Sequence, residues 1–418
     1  MWTLLLIACS GPTPTPDPND TDTDVDTDTD DTDVPPGGDA ALVADLLAGV
    51  GEVGEVVQTV AWSGGWPVSD GTTYTFVYVA SGDWSVAGDF NDWVPEPMDC
   101  SRGYCVAQVT IEGDPAGSKY KLTDGTAYVA DPVARSYGYD EFGEVSYVRP
   151  PGDTWRLDRW PAAEGTSVDP RTLRVYVPPG AGPFRVLYAH DGQNLFDPAA
   201  LWGGWRLQDA LAASPMLVVG IDNTAARFDD YTHVADQLDA LGPTPVGGNG
   251  DAYADFVHQV VRPHIEATYG SNGVDGQLGS SLGGLISLHV AHRFPGQYDF
   301  VASLSGTLGW GRFGDLGEAM ETRWLTSDPG GVVYLSSGGG TGPDGVCADP
   351  DGDGFPEDDP DSSDNYCETR QMADALAAAG RTWDADLVHW HEPGAQHNEA
   401  AWAALVSQPL GIFAAIQP

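Results

Sequence analysis

The run LGSSLGGLISLHVAHRFP, residues 278–295, decides how the chain is read, because it joins an apolar strand end, a sharp turn and an amphipathic helix. Gly279, Ser280, Ser281, Leu282 and Gly283 form G-x-S-x-G, in which glycines two positions either side of the serine let the turn close without a side-chain collision. Ser281 is therefore the candidate nucleophile. A serine alcohol reacts poorly at neutral pH, so such a turn needs a base to take the proton and donors to hold a developing oxyanion. The backbone N–H of Leu282, first in the helix, is one candidate donor. Gly284 and the apolar face Leu285, Leu288 and His289 support the strand-turn-helix reading.

Outward from this run, the segment after Pro150–Asp153 alternates strand and helix, which predicts a mostly parallel sheet covered by helices, an α/β domain over 151–418. LRVYVPPG (173–180), FRVLYAHDG (184–192) and Met216–Asp222 read as strands, and Asp251–Tyr269 as a helix feeding the strand before Ser281. GVVYLSSGG (331–339) and WDADLVHWHE (383–392) are two later strands. Before this domain the period changes. Residues Ala40 to Val60 have helical spacing, whereas TYTFVYVA, WSVAGDFNDW, YCVAQVTI and SKYKLTDG alternate with period two, predicting an all-β, immunoglobulin-like sandwich within 40–150.

The chain has 418 residues, 18 basic and 62 acidic, with a net charge of −44. That balance argues against nucleic acid as a partner, since phosphates demand a basic surface. Residues 10–39 are Pro, Thr and Asp in near alternation, which predicts a disordered, self-repelling tether. Residues 1–9 end in Leu-Ile-Ala-Cys9, similar to the lipobox of bacterial lipoprotein signals, so Cys9 is the expected lipidation site and the membrane is expected to be met through that anchor alone. The other cysteines fall into two local pairs, Cys100 with Cys105 and Cys347 with Cys367, as suits an exported protein.

Four blocks carry a family resemblance: YAHDGQNLFD (188–197), VVGIDNTAARFDDY (218–231), LGSSLGG (278–284) and GAQHNEAAW (394–402). Together they resemble the esterase family that includes enterochelin esterases, esterase D and carbohydrate-acting feruloyl and acetyl xylan esterases. The resemblance implies an α/β-hydrolase fold and a serine triad in the chain order Ser, Asp, His. His397 then matches the catalytic base, while His389 and His391 are read as structural. The family's acid follows the 331–339 strand and precedes a helix ending Leu-x-x-x-Gly; counting back from Leu376 and Gly380 places it at Asp364, with Asp344 the alternative. Gly192 or Gln193 would supply the second oxyanion donor, and His190, Asp191, Arg227 and Asp230 would shape the substrate pocket, Arg227 and Asp230 having a loop-bracing salt bridge as their alternative. Val86–Trp93, Lys119–Lys121 and Ala130–Pro132 resemble the early-set, glycogen-binding-like domain, in which Trp84 and Trp93 are candidate sugar platforms, the favoured alternative being packed tryptophans in a module that braces the catalytic domain.

If Asp364 is the acid, residues 341–363 are an insertion. Asp349, Asp351, Asp353 and Gly354 within it give D-x-D-x-D-G, with Glu357, Asp358 and Asp361 following, which matches a hard-oxygen calcium loop; the alternative is a solvated acidic loop. The sequence thus predicts an exported, lipid-tethered serine esterase for a small-molecule or carbohydrate ester, needing no cofactor for chemistry and carrying a structural calcium. The competing expectation is a glycan-binding surface lipoprotein whose hydrolase fold is inactive.

Overall fold

The computed structural model describes residues 38–237, 244–312, 319–339, 347 and 365–418. Cys9, most of the tether, Asp344, Asp364 and the calcium candidates Asp349, Asp351, Asp353, Glu357, Asp358 and Asp361 lie outside the described residues.

Six parallel strands form the centre, in the spatial order Leu387–His391, Val332–Ser337, Phe300–Leu304, Ser271–Ser280, Phe184–His190, Leu217–Ile221. Short runs of buried apolar residues suit such strands, because both faces of a parallel sheet are covered. Alternation divides them: Val186, Tyr188, Leu217 and Val219 join one core cluster, and Leu187, Ala189 and Val218 the other. The helix Leu282–Arg293 and the long helical run from Gly250 to Tyr269 cover the first face. Trp402, Leu410 and Phe413 from the two last helices, with Val406 at their junction, cover the second. Each fully buried aliphatic or aromatic side chain contributes about 1.5–3 kcal/mol, so the three layers hold one another. The 250–269 run widens to a π-type turn at Phe256–Val261, just before Pro263, which has no N–H to give to a regular turn.

The sheet is mixed. Val168–Val177 pairs antiparallel with Leu217–Ile221, and Arg156–Gly165 antiparallel with Val168–Val177, forming a long hairpin that Pro161 masks in the sequence.

Before the hairpin, two helices, Gly38–Ala48 and Val53–Trp62, replace the single helical run read from the spacing. Gly49 (φ 79°) and Gly51 (φ 82°) take left-handed conformations between them, where helix cannot continue. The period-two segments form strands as predicted. Val68–Asp70, Thr73–Tyr78, Tyr104–Thr110 and Asp99–Ser101 make one antiparallel sheet. Ser85–Gly88, Lys119–Thr123, Gly143–Tyr147 and Ser136–Asp140 make another, facing it across Phe76, Val109, Tyr120 and Leu122. This second set does not end at residue 150. Tyr137 and Ser136 pair with Leu157 and Asp158, so the sheet runs on into the hairpin and the central strands.

Both local cysteine pairs are bonded, Cys100 to Cys105 across a hairpin and Cys347 to Cys367 at the helix Tyr366–Ala378. Trp84 packs 4.6 Å from the Tyr78 ring, and Trp93 donates to Asp89 at 2.9 Å, so both tryptophans are part-buried. Among the described residues no helix is long and apolar enough to cross a membrane.

Candidate active site

From Val274 to Ala291 every residue is buried except Ser281. It sits between the strand Ser271–Ser280 and the helix Leu282–Arg293 at φ 55°, ψ −127°, a conformation that costs a non-glycine residue roughly 1–3 kcal/mol. Neighbouring hydrogen bonds hold it there. Ser281 N–H donates to Leu304 O at 3.0 Å, and its own carbonyl accepts from Gly284, Leu285 and Thr307 at 3.0, 3.2 and 3.2 Å. The N–H of Leu282, at the first helical position, has no carbonyl four residues back within the helix.

The glycines around the turn are not equivalent. A Cβ on Gly279 would fall onto the Gly283 carbonyl, and one on Gly284 onto Ser303 Oγ, whereas one on Gly283 would lie 3.1 Å from Asp191 Oδ2. Gly279→Ala and Gly284→Ala are therefore expected to lose about 1–3 kcal/mol of stability as backbone and core shift, with Gly283→Ala clearly milder. Chemical denaturation of the three variants checks this ranking, and equal losses would contradict it.

His397 lies after the Leu387–His391 strand, just before Asn398, whose side chain accepts from Ala401 N–H at 3.1 Å and caps the helix Glu399–Leu405. Gly339 N–H donates to Ala395 O at 2.7 Å and Gly394 N–H to Gly339 O at 2.8 Å, tying this loop to the end of the Val332–Ser337 strand. The imidazole stands edge-on to Trp402 with centroids 5.1 Å apart. Burial, with Arg227 adding positive charge, pushes its pKa down to about 4. Its Nδ1 is buried and has no hydrogen-bond partner among the described residues. In a serine triad that nitrogen belongs to the acid. The Ser281 hydroxyl has Thr307 Oγ1 at 3.5 Å as its partner among the described residues, and no hydrogen bond to His397 is formed. Such bonds commonly tighten only when substrate binds.

Behind His397, Trp402 Nε1 donates to Ser305 Oγ at 3.3 Å, and Asn365 Nδ2 donates to Ser305 O at 3.1 Å. Asn365 is the residue after Asp364.

The Phe184–His190 strand ends in a second tight turn. Asp191 is left-handed (φ 61°), and Gly192–Asn194 form one 3-10 turn closed by Asn194 N–H to Asp191 O and Leu195 N–H to Gly192 O. The first N–H groups of that turn, Gly192 and Gln193, have no carbonyl within it. No side chain fits at Gly192, where a Cβ would lie 2.7 Å from Asp222 Oδ1 and 2.8 Å from Ile221 N. The Asp191 carboxylate takes two hydrogen bonds from Arg227 at 2.8 Å each and one from Asn223 at 2.5 Å. Burial raises its carboxyl, but the Arg227 charge and these hydrogen bonds outweigh that and leave it below the usual carboxylate value.

The polar atoms of three residues expected at the pocket are committed elsewhere. His190 is buried between Tyr253 OH at 2.8 Å and Gln277 Oε1 at 3.1 Å, and burial pushes its pKa to about 4. Since the amide oxygen only accepts, Nε2 carries the hydrogen and Nδ1 accepts the tyrosine hydroxyl, the pattern of a neutral ring. Asp191 holds Arg227. Asp230 pairs with buried Arg171 at 2.7 Å and accepts from Asn249 at 2.8 Å, so Arg227 and Asp230 have different partners. Arg227 keeps 26% side-chain exposure and acts electrostatically on His397. An open cleft of about 580 Å³ beside Asp230 is lined by Asp169, Ala226, Asp229 and Asn249, with no residue of the Ser281 turn. His389 and His391 share a strand face against Tyr366, with ring centroids 6.2 and 4.3 Å away. No group of three or more metal-binding side chains lies among the described residues.

Sequence reasoning missed Thr307, Ser305, Asn223 and Trp402. The available signal was position: every residue of the site follows the C-terminal end of a parallel strand, where open α/β sheets present their loops.

Known proteins resemble this chain over parts of its length. A siderophore triacetylfusarinine C esterase of Aspergillus fumigatus is 26% identical over 167 residues, 38% of this chain and 57% of that protein. The uncharacterized protein YbbA of Bacillus subtilis is 30% identical over 147 residues, 33% of this chain and 57% of that protein. The aligned region thus spans little more than half the length of either relative. Among solved structures, an IroE-like serine hydrolase from Shewanella oneidensis superposes with TM-score 0.46 at 18% identity, covering 62% of this chain and 82% of that one. The enterobactin esterase FES from Shigella flexneri covers 82% and 93%, with TM-score 0.43 at 15% identity. Residues 167–411, more than half of the chain and the whole stretch from the hairpin's second strand through the Ser281 turn to His397, match the family described as Putative esterase, and the chain belongs to that family.

Proposed function

We propose that this protein is a carboxylic ester hydrolase in which Ser281 attacks the ester carbonyl, His397 accepts its proton and returns it to the leaving alcohol, and water then releases the acyl group. The observation that carries the reading is Ser281 itself. It is strained and accessible in an otherwise buried run, at a helix N-terminus, inside a family-wide match. Leu282 N–H, with Gly192 or Gln193 N–H from the facing turn, would hold the oxyanion. Asp364 is the proposed acid, supported by the anchoring of Asn365 to Ser305 behind Trp402.

Arg227, fixed by Asp191 and part-exposed near His397, is the proposed contact for an electron-rich part of the substrate, while His190 and Asp230, bonded to Tyr253 and Arg171, brace the surrounding scaffold. The Aspergillus relative's named substrate is a siderophore ester, which favours a small-molecule ester over a polysaccharide. A panel of p-nitrophenyl esters, hydroxamate-type and catechol-type siderophore esters, feruloylated arabinoxylan and acetylated xylan tests the reading. Turnover of the siderophore class is the expected result. No hydrolysis of any member, together with glycan binding, would instead favour the non-catalytic reading.

The remaining proposals concern the surroundings. Residues 40–150 are read as an early-set, immunoglobulin-like module, residues 10–39 as a tether, and Cys9 as a lipid attachment point on an exported protein. The acidic insertion is read as a calcium loop leading into Asp364. A chelator is then expected to lower both Tm and kcat, calcium to restore them and magnesium to do so poorly, since magnesium tolerates irregular oxygen cages badly. Melting curves and rates that a chelator leaves unchanged would reduce the insertion to a solvated loop.

A further inference from the structure

The strands before residue 150 reach the oxyanion turn through one line of charged side chains. Glu144, in Gly143–Tyr147, accepts from Arg159 at 2.5 Å and from Arg174 at 3.4 Å. Arg174, in Val168–Val177, makes three hydrogen bonds to the Asp222 carboxylate, at 2.8, 3.1 and 3.0 Å. Asp222 packs directly on Gly192, 2.7 Å from where a Cβ would stand. Its neighbour Asn223 completes the grip: its N–H donates to Gln193 Oε1 at 3.1 Å and its side chain to Asp191 at 2.5 Å. Tyr139 OH, 3.5 Å from both Glu144 and Arg174, lines the same contact.

Burial decides why this line matters. Side-chain exposures are 4% for Arg159, 16% for Arg174, 14% for Asp222 and 29% for Glu144, so water screens the interior pairs weakly. Without Glu144 the Arg159 guanidinium would lose its ion pair, repel Arg174 and compete with it for Asp222, disturbing the fork-to-fork seat of Arg174 on that carboxylate. The arrangement is continuous with the sheet, because Tyr137 and Ser136 pair with Leu157 and Asp158.

We infer that the N-terminal strands act in catalysis at a distance, with Glu144 as a positioning residue that sets the Gly192–Gln193 turn through Arg174 and Asp222. The inference rests on the ester-hydrolase reading for its kinetic consequence, but the mechanical link stands on the contacts alone. An oxyanion donor acts on the transition state and little on bound substrate, so a displaced turn lowers kcat and spares KM.

The test uses the full chain carrying Glu144→Gln, Arg174→Lys and, as a control, Glu141→Gln on the exposed hairpin. Amide exchange across Gly192–Leu195 and hydrolysis of a p-nitrophenyl ester are measured together. Glu144→Gln is expected to speed exchange at the turn and to lower kcat about tenfold with KM within about twofold, a fraction of the roughly 10²–10³ lost with a whole donor. Arg174→Lys should shift both in the same direction and further, and Glu141→Gln should match wild type. If Arg174→Lys does not fold, Glu144→Gln decides alone. Unchanged exchange at the turn would overturn the inference, as would faster exchange with unchanged kcat, or a rise in KM with kcat intact. Wild type that hydrolyses none of the esters, with the exchange difference present, would overturn the esterase reading and leave the mechanical link standing.

Discussion

Ser281→Ala is expected to lower kcat by about 10⁶, the loss measured when the nucleophile of a serine triad is removed, because the triad acts as a unit. Stability should barely change, within about 0.5 kcal/mol, since alanine leaves the backbone hydrogen bonds of the turn in place. A sharper result is expected from Ser281→Gly. Glycine accepts φ 55° without penalty, so this variant should be equally inactive yet more stable than wild type by about 1 kcal/mol, less the entropy cost of glycine in the unfolded chain. Calorimetry and ester hydrolysis on the same preparations read both effects. An active Ser281→Ala would remove Ser281 from the chemistry.

His397→Ala is expected to cost nearly as much, and its partner can be found from pH. A general base works deprotonated, so kcat/KM falls as pH drops through the pKa of His397. Among the described residues burial and Arg227 press that pKa down to about 4. A carboxylate at Nδ1 stabilises the imidazolium and raises it. Wild type should therefore lose activity at a higher pH than a variant without the acid. Asp364→Asn is expected to lower kcat by about 10⁴ and to move the acid limb of the profile down toward about 4. Asp364 lies outside the described residues, so the comparison with Asp344→Asn carries the assignment. The same pair of changes in Asp344→Asn, with Asp364→Asn unaffected, would transfer the role to Asp344.

How much of this was legible in the sequence depends on the range over which each feature is encoded. The Ser281 turn is local. Two glycines, a serine and an apolar helix within a few residues specify strand, turn and helix, and the structure adds that Gly284 is held more tightly than Gly283. The parallel strands were legible because buried apolar runs such as Leu217–Ile221 carry their environment in their composition. The hairpin strand Arg156–Gly165 was not, because Pro161 and its charged residues hide a strand whose partner supplies the pattern. The break at Gly49–Gly51 was visible as glycine but outweighed by helical spacing on either side.

Long-range polar pairings were least legible. Arg227 and Asp230 sit three apart and suggest a salt bridge with each other, yet Arg227 turns to Asp191 and Asp230 to buried Arg171, partners distant in sequence that local spacing does not reveal. His190 reads as a pocket residue by its place in AHDG. In the structure it is buried beneath the turn, on Tyr253 and Gln277, so that its contribution is to hold and not to touch. The line from Glu144 to Asp222 joins residues far apart in sequence, and nothing in local spacing could announce it.

The most direct test of the central claim is to trap the nucleophile. Full-length protein is treated with a fluorophosphonate, which stably phosphonylates an activated serine, and the modified residue is located by peptide mass mapping. A single adduct on Ser281, lost in His397→Ala and blocked by a competing ester substrate, is the predicted result. An adduct on another serine, or brisk ester hydrolysis by a protein that takes no label at Ser281, would contradict it.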